Sequence, residues 1–479
     1  MPDLNEEPRI IQTDSGNKDG QNKCPKCGAT DISLNTKTGN LRCNYCRHEF
    51  QPEKIEGMET DIHNLEGEVM ASGTQDIAQD TNDVMTFKCS SCGAEVVIDT
   101  TESTQARCHW CRNTLSVNQQ IPNGAVPDVV LPFKLSKPDA KSLIEAFVNK
   151  RRFFAHPKFV EEFSAENVMG VYFPYMVVDM NSHASFSGRG EHQVRRYTRG
   201  SGSNQRTYYD ADLYDVDREF DLSIKGLTVE SSADKLNKKD SHKTNNVINA
   251  IMPFDIENSV KWDSNYLKGY SSERRDTNVE QLKPLVDTQA KDIARFSANK
   301  TLQLYDRGVR WDSEHLDIKG RQWKTAYLPV WLYSYQEKKG ENDGLLHYVA
   351  INARTKETMG SVPIHMPKLI GASAIVEFIG LLLMLFVDFD YSFLFLLLGF
   401  IFFFYYYVKY RNFTERHHHE TETPAEMLNL AKSDRLVKRQ TGLSNSRIEG
   451  ANNKKVSGQG LAENLLNNVN DINPFKNLK

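Results

Sequence analysis

Cysteine placement constrains this chain more than any other feature. All eight cysteines fall into four C-x2-C pairs. The stretch CPKCGATDISLNTKTGNLRCNYC holds Cys24, Cys27, Cys43 and Cys46, and CSSCGAEVVIDTTESTQARCHWC holds Cys89, Cys92, Cys108 and Cys111. Fifteen residues separate the pairs in each copy, the spacing of a four-cysteine zinc site. Two residues between thiols let one turn present both sulfurs, and a short hairpin returns the second pair to close a tetrahedron. Gly28 and Gly93 follow the second cysteine of each copy, where positive φ lets backbone N–H groups point at sulfur. Two structural zinc ions are therefore expected. Four protein ligands leave no open position for a catalytic water, and modules this small draw their folding free energy from the metal.

Disulfides are the rival chemistry, and they require an oxidising compartment. The opening MPDLNEEPRI is acidic and lacks the apolar core of a signal peptide, so zinc is the expected state. Nucleic-acid binding would need a concentrated basic face. Residues 23–50 carry Lys23, Lys26, Lys37, Arg42 and Arg47 against Asp31 and Glu49, and a zinc–tetrathiolate centre subtracts about two charges. In residues 86–115, Lys88, Arg107 and Arg112 are balanced by Glu95, Asp99 and Glu102. The whole chain has a formal net charge of −4, which argues against a general polyanion binder. Tyr45 and Trp110, with Phe50 and Phe87 near them, read as the miniature cores of the ribbons or as partner contacts.

A second extreme lies far down the chain. Leu369 to Val387 has one charge in nineteen residues, and Tyr391 to Val408 has none in eighteen. Each approaches the ~20 apolar residues that a bilayer core requires, so two transmembrane helices turning at Asp388-Phe389-Asp390 are expected. Arg354, Lys356 and Lys368 precede the pair, and Lys409, Arg411 and Arg416 follow it. That distribution predicts a multi-pass protein of the cell (inner) membrane with both termini cytoplasmic. Glu377 sits mid-span, where a charge costs about 3 kcal/mol. It reads either as a helix–helix contact, in this chain or in a homo-oligomer, or as a tolerated carboxylic acid.

Between these features lies an expected α+β cytoplasmic domain, residues 129–367, with an antiparallel sheet. VLPFKLS and IMPFDIE are each followed by a helical stretch and then by a YxP strand, VYFPYMVVDM or AYLPVWLYSY. This order reads as an internal duplication with unequal inserts. Pro174 and Pro329 predict edge strands or bulges. Residues 183–229 alternate as a twisted antiparallel sheet does, and 344–364 reads as a hairpin turning near Asn352 to Lys356. The segment RRFFAHPKF, 151–159, reads as a helix end packing its aromatics, with membrane headgroups as the alternative contact. The basic stretch 194–206 reads as a hairpin tip. Residues 1–20 and 410–479 are expected to be disordered, 21–50 and 84–117 to be ribbons, and 51–83 and 118–128 to be linkers. His417 to His419 could bind metal weakly. No phosphate-binding loop, nucleophile elbow, H-E-x-x-H or dinucleotide fingerprint occurs, and the expectation is a non-enzyme. The expected fold class is thus multidomain: two four-cysteine zinc ribbons, an α+β domain and a two-helix transmembrane hairpin.

The order of ribbon, LPFKLSK, RRFF, VYFPYMVVDM, IMPFD, NYLKGY, AYLPVWLYSY and HYVAINARTKETMGSVP resembles bacterial TFIIB-type zinc-ribbon membrane proteins over most of residues 20–410. The resemblance implies an adaptor that recruits PspA-type or flotillin-like (SPFH) proteins to the membrane in envelope stress. It also implies zinc on Cys24, Cys27, Cys43 and Cys46 and on Cys89, Cys92, Cys108 and Cys111. The chain departs from the family at Asn352-Ala353 and Thr355-Lys356, which replace Asn-Gly and Thr-Gly, so differently built turns are predicted there. The alternative function is a membrane-tethered nucleic-acid-binding factor in transcription or replication, for which the ribbon alone speaks.

Overall fold

The computed structural model describes residues 8–13, 23–51, 61–77, 84–88, 95–99, 105–107, 114–116, 126–200, 206–231, 251–267, 269–273, 277–339, 342–386, 392–411 and 417–443, with residues 55, 58 and 275 between them. Its strands begin with β1 (Arg9–Ile11), then the ribbon strands β2 (Ile32–Asn35), β3 (Asn40–Cys43) and β4 (Glu49–Phe50), then β5 (Gly67–Ala71). Four short strands follow: β6 (Val84–Lys88), β7 (Glu95–Asp99), β8 (Gln105–Arg107) and β9 (Thr114–Ser116). The main domain adds β10 (Val129–Val130), β11 (Met169–Arg199), β12 (Arg206–Glu230), β13 (Val260–Lys261), β14 (Ser271–Ser272), β15 (Val309–Lys339), β16 (Asn342–Asn352) and β17 (Thr358–Gly360). The last is β18 (Ala425–Leu443). The helices are α1 (Lys137–Asn149), α2 (Pro157–Glu162), α3 (Val279–Asn299), α4 (Met366–Phe386), α5 (Leu398–Arg411) and α6 (His419–Glu422).

The spine of the molecule is the antiparallel pair β11–β15, each 31 residues long. At about 3.3 Å per residue, each holds roughly 100 Å of strand. The pairing runs from Met169↔Leu332 at one end, the base, to Gly190↔Val309. Beyond Gly190, β11 and β12 continue as a hairpin to Arg199↔Arg206, past the end of β15, with β18 still paired along β12 as far as Tyr208↔Leu443. The order across the sheet is β1-β5-β15-β11-β12-β18.

Side-chain period explains why these strands are long and where each face goes. Past Ser182, Ala184, Phe186, Gly188 and Gly190 are buried while Ser185, Ser187 and Arg189 are exposed, the period of two of a sheet with one wet face. The dry face packs against Leu282, Val286, Ile293 and Ala294 of α3. Toward the base, the apolar residues become continuous and both faces are covered. Val171, Phe173, Tyr175 and Val177 meet Leu131, Ile251 and Phe254 on one side. Phe133, Tyr172, Tyr327 and Trp331 join a second core on the other.

The two YxP segments pair with each other. Tyr172 pairs with Pro329, Phe173 with Leu328 and Pro174 with Tyr327, so the two YxP motifs face each other across a local two-fold. Neither proline lies on an edge strand, contrary to expectation. Pro174 sits in the seam on β11 between β14, which ends opposite Tyr172, and β12, which begins opposite Tyr175. Pro329 sits in the matching seam on β15, between β10 at Tyr327 and β16 at Val330. In each seam no ladder partner calls for the missing N–H.

Three further expectations are corrected. The sheet is mixed, because β1–β5, β5–β15, β10–β15 and β11–β14 are parallel. These short pieces arrive from distant sequence, and no tight turn dictates their direction. Residues 9–11 and 67–71, read as disordered terminus and linker, are sheet strands too short to display a period. Residues 425–443, read as disordered tail, form β18 along sixteen registered positions of β12. Among the described side chains of β18, only Met427 and Leu430 pack against the core, which is why its composition looks like a tail.

Candidate metal centre

The first cysteine module folds as two matching knuckles. Gly28 N–H donates to Cys24 O at 2.8 Å, and Arg47 N–H donates to Cys43 O at 2.9 Å. Cys24 N–H donates to Ala29 O and Cys43 N–H to His48 O, at 2.8 and 3.0 Å. Gly28 has φ +72° and Arg47 φ +62°, so the left-handed turn expected at the glycine recurs at an arginine. β2 and β3 pair from Ile32↔Cys43 to Asn35↔Asn40, which carries the second knuckle back to the first.

The result brings Cys24, Cys27, Cys43 and Cys46 together, with all four sulfurs within 4.8 Å of one another. Cys24 Sγ lies 3.6 Å from Cys46 Sγ, and Cys27 Sγ lies 3.6 Å from Cys43 Sγ. All four are free thiols, and a disulfide would bring a pair to ~2.05 Å. The Cys43 thiol is pulled down to about 7, first by the Cys46 N–H. Cys27 is pushed up to about 12: the Ala29 N–H opposes the shift, but desolvation and the sulfurs of Cys46, Cys43 and Cys24 outweigh it. A four-thiol donor set in this shape can hold a metal ion.

Cys89, Cys92, Cys108 and Cys111 lie outside the described residues. In the described residues that flank them, β6 pairs with β7 and β8 with β9.

The ribbon is docked, not free. Ile32 and Leu41 are fully buried and belong to the same core as Phe133, Trp331, Leu369 and Tyr410. Tyr45, by contrast, is 82% exposed, so it is not the miniature core that its position suggested. The turn after β16 locks the base around this core. Asn352 Nδ2 donates to Ile251 O and Pro253 O at 2.9 and 3.0 Å. Arg354 forms an ion pair with Asp255 at 2.6 Å and also donates to Pro132 O. Two neighbouring side chains thereby clasp both PF segments. The sequence indicates a turn near Asn352 to Lys356 but not that its side chains join the two PF segments. Lys356 takes φ +70°, a conformation that glycine adopts more readily.

α4 and the stretch Leu394–Arg411 are each long and apolar enough to cross a membrane. They pack closely on each other. The Glu377 carboxylate accepts the Gly399 N–H at 2.9 Å, in the first turn of α5, where helix N–H groups lack partners. A Cβ on Gly399 would stand 2.7 Å from Glu377, and one on Gly380 would stand 2.3 Å from Phe395 O. Glu377 is thus an intrachain helix–helix contact. Asp388 and Asp390 lie outside the described residues.

The histidines do not gather into a second metal site among the described residues. His183 meets Glu219 and Asp221. His417 pairs with Glu422, and His419 pairs with Asp292 of α3. No family model, curated protein or solved structure matches this chain.

Proposed function

We propose that this chain is a zinc-binding adaptor fixed in the inner membrane by two spans, recruiting partner proteins on the cytoplasmic side in envelope stress. The observation that carries the reading is the shared core. Ribbon residues Ile32 and Leu41, sheet residues Tyr172 and Trp331, and helix residues Leu369 and Tyr410 are buried in one apolar cluster. A metal cage, a long sheet and two lipid-compatible helices that share a core act as one mechanical unit. Such a unit suits presentation of surfaces at a membrane.

Zinc is the metal that fits. Four thiolates at ~2.3 Å define a tetrahedron with edges of about 3.8 Å, close to the 3.6 Å separations of both sulfur pairs. Cys24, Cys27, Cys43 and Cys46 would hold one ion, and Cys89, Cys92, Cys108 and Cys111 a second. Bound zinc supplies folding free energy to the ribbon and takes part in no chemical step. The partner class, PspA-type or flotillin-like proteins, comes from the resemblance to TFIIB-type zinc-ribbon membrane proteins.

The test is affinity capture of the full chain from detergent extracts of stressed cells, beside Cys24→Ser and Cys89→Ser variants. The proposal expects one reproducible set of partners that is lost with the cysteine. A properly membrane-localised protein that captures no partner would contradict the adaptor role.

A further inference from the structure

The segment that leaves the C-terminal end of α1, Lys150-Arg151-Arg152-Phe153-Phe154, lies against the ends of α4 and α5. Phe154 N–H donates to Tyr410 Oη at 2.8 Å, and His365 N–H donates to Phe154 O at 2.8 Å. Arg151 Nε donates to Lys409 O at 3.1 Å, and its guanidinium lies 3.6 Å above the Phe147 ring. The Phe154 ring is buried against Tyr406, Phe402 and Tyr410, with centroids 4.9 to 6.2 Å away. The segment is therefore fixed level with the first turn of α4 and the last turn of α5.

Phe153 does the opposite of its neighbour. It is 67% exposed, while Lys368 Nζ donates to its carbonyl at 2.6 Å and lies 4.1 Å from its ring centroid. The ring also packs edge-on against Phe154, with centroids 4.7 Å apart, yet most of its surface faces outward. Residues 146–160 carry Lys150, Arg151, Arg152 and Lys158 and no acid. Lys368 in the first turn of α4 and Lys409 and Arg411 in the last turn of α5 bring the basic residues of these segments to seven. Lys150, Arg152 and Lys158 are exposed and form no ion pair among the described residues. Arg151 is the strap that holds the segment, and these three point their charge elsewhere.

We infer that residues 150–158 form a peripheral contact with anionic lipid headgroups, Phe153 entering the interface and Lys150, Arg152 and Lys158 meeting phosphates. The inference rests on the membrane-spanning reading. It commits to lipid, not to an acidic protein, because the exposed ring continues the apolar belt of the two helices at the depth where their lysines end. Aromatic rings and cationic side chains at that depth are the pattern of a membrane interface.

The test reconstitutes the full chain and a Phe153→Trp variant in nanodiscs of phosphatidylcholine, with or without phosphatidylglycerol, the acyl chains brominated near the headgroup. The tryptophan emission gained by the variant over the parent is expected to be blue-shifted and quenched. Quenching should increase with phosphatidylglycerol, and Lys150→Gln/Arg152→Gln/Lys158→Gln should abolish that increase. Water-like, unquenched emission from nanodisc-embedded protein would overturn the inference and leave the site to a protein partner. Quenching that ignores both phosphatidylglycerol and the triple substitution would overturn the headgroup contact. Failure of the parent chain to enter nanodiscs would instead overturn the membrane reading.

Discussion

Among the described residues, three that carry side chains take positive φ, Arg47, Lys356 and Asn429; asparagine tolerates that region and the other two resist it. Arg47 in the second knuckle and Lys356 in the clasp turn have φ +62° and +70°. A left-handed conformation costs a side-chain-bearing residue 1–2 kcal/mol, and glycine recovers part of that at an entropic cost in the unfolded chain. Arg47→Gly and Lys356→Gly should each stabilise the protein by about 0.5–1 kcal/mol, read as a higher thermal midpoint in detergent. Unchanged or lower midpoints would mean that the side chains contribute more than their strain costs. His347 gives the chain a pH dependence. Burial, with help from Arg411, pushes it from 6.5 down to about 4, and its Nδ1 meets Ser361 Oγ at 3.0 Å. The folded imidazole stays neutral while the unfolded one takes a proton. Its contribution to stability is therefore complete above about 6.5 and is lost as pH falls toward about 4, roughly 3 kcal/mol over that window. Chemical denaturation from pH 7 to 4 should show this decline, and His347→Gln should flatten it.

At the level of elements, β18 and the α4–α5 pair show how polar groups hold apolar architecture. Arg218 is 2% exposed and bonds Asp434 of β18 at 2.6 Å, with Thr301 Oγ1 at 2.8 Å. Asp434→Ala would leave a buried guanidinium without its counter-charge, at a cost of about 3 kcal/mol. Hydrogen exchange should then accelerate along 425–443 before any change in β11. Uniform exchange across the sheet would show that β18 is not a separable unit. Between the helices, Glu377→Gln keeps an acceptor for the Gly399 N–H and should be nearly neutral. Glu377→Leu strands that donor and should cost about 1–2 kcal/mol, measured by denaturation in lipid. The long strands were legible because alternation repeats over many residues, and both apolar helices because their nearly uncharged runs approach the thickness of a bilayer core. β1, β5 and β18 were not, because their neighbours supply the apolar surface and the sequence of each is too short or too polar to announce it. The cage was legible from Cys24 to Cys46 because metal geometry dictates spacing. Its docking through Ile32 and Leu41 was not, because two ribbon residues cannot reveal which surface they meet.

At the scale of the molecule, a wide base gathers the ribbon, both PF segments and the ends of α4 and α5. From it a twisted sheet extends with about 100 Å of strand. If the base sits on a membrane, the far hairpin stands well clear of it, and the ribbon stays near the lipid. That placement turns on one claim, that α4 and α5 cross a bilayer together while everything else remains on one side. Protease protection of the protein in sealed, inverted inner-membrane vesicles tests it most directly. The account predicts a single protected fragment containing both helices, approximately residues 366–411, with the ribbon and sheet fully digested. Recovery of the ribbon or sheet in the protected fraction, or digestion of the two helices along with the rest, would contradict it.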